Sequence, residues 1–99
     1  MLVTFHEDAQ SDLQDAVFYY EARMVGLGLN LFFDVEDAVA LIGSNPEACP
    51  LIGKAVRRIV LRRYPYSIIY AVDESRIRIL AVAHHRRRPA YWRCRTEVV

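Results

Sequence analysis

Residues 56–84 read VRRIVLRRYPYSIIYAVDESRIRILAVAH, three runs rich in β-branched and aromatic side chains, interrupted by Pro65 and by Asp73-Glu74-Ser75. Such side chains suit a pleated, half-buried backbone, whereas Pro and short polar residues break it. The spacing predicts strands over 56–61, 66–72 and 77–83, the last two joined as a hairpin. In the third, Ile77, Ile79, Ala81 and Ala83 alternate with Arg78, Leu80, Val82 and His84. That alternation puts the first set on one face, expected to pack on a helical layer.

The helical layer is legible upstream. Leu2–Phe5 is short and apolar, and His6, Glu7 and Asp8 follow, acidic residues of the kind that favour a helix N-terminus; this reads as strand, then helix. Ala9, Leu13, Ala16, Val17, Tyr20 and Met24 form the stripe of an amphipathic helix, which Gly26 and Gly28 are expected to end. Leu31, Phe32, Val35, Val39 and Ile42, with Ala38 beside them, form a second stripe that stops at Gly43-Ser44-Asn45-Pro46. A short Gly turn between two helices makes an antiparallel hairpin. Asn45 to Gly53, with Pro46, Pro50 and Gly53, reads as loop. The expected fold class is α+β, in the order β-α-α-β-β-β: an edge strand, then an antiparallel helical hairpin packed on a small, mainly antiparallel sheet.

The chain has 99 residues, 54% hydrophobic and 25% charged. That is enough for the core of one domain spanning 1–99, and too apolar for disorder. The net charge of +1 conceals two opposite halves. Residues 1–53 carry Arg23 against nine acidic residues, a net of −8, and residues 54–99 carry Lys54 and eleven Arg against three, a net of +9. Arg makes planar, bidentate contacts with phosphate or carboxylate, so the basic half is the candidate surface for an anionic partner. Cys49 and Cys94 have no metal-ligand spacing and read as structural apolar residues in a reducing cytoplasm, with a disulfide the lesser alternative. The longest apolar run is far short of the ~20 residues that span a bilayer, and neither cofactor nor metal is expected.

The densest functional signal is Ala83 to Arg95, with five Arg, His84, His85, Tyr91 and Trp92. Cations interleaved with aromatic rings hold phosphates and stack on bases. The plainer reading is a solvated basic tail whose Tyr91 and Trp92 plug the end of the core. Arg57-Arg58 and Arg62-Arg63 bracket Ile59, Val60 and Leu61, and neighbours on a strand point to opposite faces. One of each pair is therefore expected on the solvent side, where Arg78 and His84 would join it. Metal-free RNA cleavage needs a base, an acid and cations for the developing charge, roles open to His84, His85, Tyr91 and several Arg. No Ser-His-Asp order, phosphate-binding loop or paired carboxylates are present, and the acidic residues of the helices read as solvated faces.

Six motifs in order, Phe5-His6-x-x-Ala9, Tyr19-Tyr20-Glu21, Asn45-Pro46, Val56-Arg57-Arg58, Tyr64-Pro65-Tyr66-x-Ile68-Ile69-Tyr70 and His84-x-Arg86-Arg87-x-Pro89-x-Tyr91-Trp92-x-x-Arg95, make the chain resemble the ParE/RelE superfamily of toxins from type II toxin-antitoxin modules. The resemblance implies a helical hairpin on a small sheet, growth arrest, plasmid stabilization as a role, and neutralisation by a cognate antitoxin, with operator DNA reached only through that antitoxin. RelE-like members cut messenger RNA on the ribosome; ParE-like members poison DNA gyrase. RelE-like toxins often carry an Arg for the scissile phosphate where this chain has Ser67, and residues 27–53 lack the basic residues of their second helix, so the resemblance leans to the ParE branch. On that reading Arg86, Arg87, Tyr91, Trp92 and Arg95 contact the partner. On the alternative, an mRNA interferase, His84 or Tyr91 handles protons while Arg58, Arg78, Arg86 and Arg87 hold phosphates. A third possibility is a degenerate toxin that retains only antitoxin binding.

Overall fold

The computed structural model describes residues 2–97; the ends of the expected domain, residues 1, 98 and 99, lie outside them. Strand β1 (Leu2–Phe5) leads into helix α1 (Glu7–Arg23), and helix α2 (Leu27–Ser44) returns antiparallel to it. Strands β2 (Leu51–Gly53), β3 (Val56–Val60), β4 (Tyr66–Val72) and β5 (Arg76–His84) follow, and a short 3-10 helix spans Arg93–Glu97. The sheet order is β1-β5-β4-β3-β2, antiparallel except where β1 lies parallel to β5 at one edge. No helix among the described residues is long and apolar enough to cross a membrane.

The helices begin and end on local chemistry. His6 caps α1 by accepting the Asp8 N–H on Nδ1 at 3.0 Å. Between the helices the Glu21 carboxylate accepts the N–H groups of Gly26, Gly28 and Leu29 at 2.8, 3.0 and 3.4 Å. Three N–H groups that begin α2 are thereby satisfied, and the Gly26 bond chiefly holds the Glu21 carboxyl below the ordinary carboxylate range. Gly26, at φ 92°, makes the turn. Gly28 does not end the first helix as expected; it lies inside α2, buried where the helices touch. Met24 and Phe32, assigned to the buried stripes, are 61% and 37% exposed.

The helices cover one face of the sheet, over a core of Leu31, Val35, Ile42, Ile68, Tyr70, Ile77 and Ile79. Tyr70 is fully buried and its hydroxyl donates to the Pro46 carbonyl at 2.9 Å. Two expectations for the sheet need correction. The loop before β3 contains a strand, β2, which pairs with β3 through a turn that places Ala55 at φ 61°. In β5, Ile69 pairs with Ala81 but Tyr70 pairs with Ile79, so Leu80 is an extra residue. That bulge reverses the alternation: Ile77, Ile79 and Val82 face the helices, while Leu80, Ala81 and Ala83 face the opposite side with Val56 and Ile69.

Cys49 packs at the rim of the helical core, whereas Cys94 is exposed; both thiols are free. The Asp73-Glu74-Ser75 turn forms as read, with Asp73 accepting the N–H groups of Ser75 and Arg76 at 3.0 Å each.

Candidate functional site

Beyond β5 the chain folds back over the helix-free face of the sheet. The His85 N–H donates to the Pro65 carbonyl at 2.9 Å, and the Arg87 N–H to the His84 carbonyl at 2.9 Å. Ala90, at φ 59°, turns the backbone again; a non-glycine residue held there costs about 1 kcal/mol or more. Tyr91 and Trp92 then pack on the small core of Val56, Ile69, Leu80 and Ala81. Both rings are partly buried, so they anchor the segment.

Between segment and sheet lies a cleft of about 330 Å³, bordered by Arg58, Ser67, His85, Arg87 and Arg88 as well as by Tyr91 and Trp92. Ser67 is buried, with its Oγ 2.9 Å from His85 Nε2. Arg58, Arg86, Arg87 and Arg88 are exposed, and among the described residues none of them forms a salt bridge. The Arg87 guanidinium lies 4.0 Å from the Tyr91 ring centroid, a cation–π contact. Arg57 and Arg58 diverge as the strand period requires: Arg57 donates to the Glu47 and Cys49 carbonyls at 3.0 and 2.6 Å, on the helical side. Arg63 pairs with Asp34 of α2 at 2.6 Å.

Among the remaining candidates only His84 also borders the cleft; Arg86 does not. Arg78 donates to the Arg95 carbonyl at 3.3 Å and does not line the cleft. The His84 ring sits edge-on to Tyr66 with centroids 5.0 Å apart, and its Nδ1 accepts the Arg86 N–H at 3.0 Å. Arg95, expected to meet a partner, is 8% exposed. Its Nη1 donates to Asp12 Oδ2 at 2.7 Å and to the Leu80 carbonyl at 2.9 Å.

Asp12 is the residue that reading the helices as solvated faces missed. Its Oδ2 also accepts the Val82 N–H at 3.1 Å and the Tyr91 hydroxyl at 3.2 Å. Strand β1 stops pairing with β5 at Ile79, so Asp12 and Arg95 supply the partners that the next backbone groups of the edge would otherwise lack. The available signal was helical spacing: Asp12 lies three residues after Ala9 and four before Ala16, both buried, and residues so spaced share a helix face.

Burial first, then the Asp12 charge, pushes the Tyr91 hydroxyl up to about 12. A raised folded-state value means that this contribution to stability is complete below the unfolded Tyr value of about 10 and is lost as pH rises through about 12. Wild type is therefore expected to lose more stability between these pH values than Tyr91→Phe. Urea unfolding of both proteins at pH 9, 10 and 11 checks this, and parallel curves would refute it.

A strand, a helical hairpin and an antiparallel sheet closed by that first strand in parallel define a small α+β fold with one helix-free, basic sheet face. Residues 3–89 match the family of ParE toxins of type II toxin-antitoxin systems, parDE, and the chain belongs to that family. A solved structure described as the chromosomal ParDE toxin-antitoxin system from P. aeruginosa shares the fold at TM-score 0.64 and 21% identity, covering 85% of this chain and 95% of that one. No curated protein matches the sequence. Tyr91, Trp92 and Arg95 lie beyond the family match.

Proposed function

We propose that this toxin acts in the cytoplasm by binding and inhibiting DNA gyrase through the turn and segment after β5, with Arg86 and Arg87 in contact and Tyr91 and Trp92 as the anchor. The observation that carries this reading is the run Arg86, Arg87 and Arg88, exposed and without a salt bridge among the described residues, next to two partly buried aromatic rings, with the Arg87 guanidinium over the Tyr91 ring. Arg and aromatic residues dominate binding hot spots. Arg95 contributes from inside, since its guanidinium is engaged by Asp12.

Two features support binding over RNA cleavage. Ser67 offers a buried hydroxyl tied to His85 rather than a cation for a scissile phosphate. The Tyr91 hydroxyl is bound to Asp12 and raised to about 12, so it is a poor proton carrier near neutrality. The neutralising antitoxin is assigned to the other layer. There Phe5, Leu13, Val17, Phe18 and Phe32 line an apolar groove of about 470 Å³, which suits the apolar face of an antitoxin helix.

The test is supercoiling of relaxed plasmid by purified gyrase with antitoxin-free toxin, beside ribosome-dependent cleavage of a messenger RNA. Inhibited supercoiling with intact RNA is expected; cut RNA with unaffected gyrase would replace this reading with the interferase.

A further inference from the structure

We propose that Asp12, in the first helix, is a positioning residue: its carboxylate clasps residues 86–97 onto the sheet and so assembles the contact surface without touching the target. The inference rests on the reading that this segment is that surface. Among the described side chains and backbone groups, every hydrogen bond or salt bridge between residues 86–96 and residues 2–83 has Asp12 or Arg95 as a partner. The backbone hydrogen bonds of Arg87, Tyr91, Arg93 and Arg95 stay within residues 84–95. The rest of the attachment is the apolar contact of Tyr91 and Trp92.

The geometry concentrates this attachment on one atom. Asp12 Oδ2 accepts from Arg95 Nη1, the Tyr91 hydroxyl and the Val82 N–H, two donors from the segment and one from β5. The Asp12 and Arg95 side chains are each only 10% exposed. Charge-assisted bonds in such a setting are among the stronger ones, and removing one partner leaves the other buried and uncompensated. The pair also fixes Tyr91, whose ring carries the Arg87 guanidinium at 4.0 Å. Asp12 thus reaches a contact residue through Tyr91. An ordinary helix-surface carboxylate would hold none of these groups.

The experiment compares full-length wild type, Asp12→Asn, Arg95→Gln and the double variant by amide hydrogen exchange, thermal unfolding and growth arrest on induction. Loss of a charge-assisted bond should speed exchange at the Tyr91, Arg93 and Arg95 amides roughly ten- to a hundredfold. Exchange in β4 should stay slow, arrest should weaken, and the double variant should go no further than either single one. Unchanged exchange in residues 86–96, or faster exchange throughout the protein, overturns the clasp. Arg95→Gln leaves α1 intact, so it repeats the test if Asp12→Asn fails to fold; uniform loosening there also overturns it. A released segment with undiminished arrest leaves the clasp standing and overturns the assignment of the contact surface. Absence of gyrase inhibition in wild type bears on the target alone.

Discussion

Gly28→Ala is expected to destabilise the protein by about 2 kcal/mol or more, although alanine in place of glycine in a helix ordinarily stabilises by about 1 kcal/mol. A Cβ at residue 28 would overlap the Val17 carbonyl oxygen and stand 2.9 Å from Glu21 Cβ. The first neighbour is backbone inside α1, so it cannot rotate aside; the helices must separate. Separation also draws Glu21 away from the Gly26 and Gly28 N–H groups. Gly43→Ala is the control: its added Cβ meets only Val3 Cγ2 at 3.9 Å, so the helix preference is expected to win and stability to rise slightly. Urea unfolding of both variants decides it, and a stabilised Gly28→Ala would show that the helices have room to yield.

The second large effect is on activity. Arg86→Ala/Arg87→Ala is expected to weaken the proposed gyrase inhibition roughly thirty- to a thousandfold, on the order of 1–2 kcal/mol for each truncated hot-spot side chain. Both residues are exposed and unpaired among the described residues, so thermal unfolding should change little. The cost outside the interface is the Arg87 contact with the Tyr91 ring. Full inhibition by the folded double variant would remove these two residues from the contact surface.

The helices and the three longer strands were legible because their apolar periods run long enough to be unambiguous. Strand β2 was hidden because its three residues follow Pro50 and cannot display a period; pairing to β3 makes them a strand. Gly28 carries the ordinary signal of a helix end, and only the close approach of α1 turns it into a packing residue. The β5 alternation is regular in sequence, yet the bulge at Leu80 reverses the faces of Ala81 and Val82, a choice made by the register with β4.

The candidate site was half legible for a related reason. Composition marks Arg86, Arg87, Tyr91 and Trp92 as a cluster, because they are neighbours in the chain. Nothing local marks Asp12 and Arg95 as partners 83 residues apart. The Ser67–His85 pair likewise depends on the chain doubling back after β5.

The parallel pairing of β1 with β5 joins Leu2 to Arg76 and Phe5 to Ile79, strands made early and late in synthesis. Closing so long a loop is slow, and β1 has no neighbouring strand until β5 exists. A nascent chain on the ribosome can form the helical hairpin first, while its sheet edge and the basic segment that follows must wait. Translation therefore sets an order in time: the helical hairpin matures before the sheet edge and the surface assigned to the target.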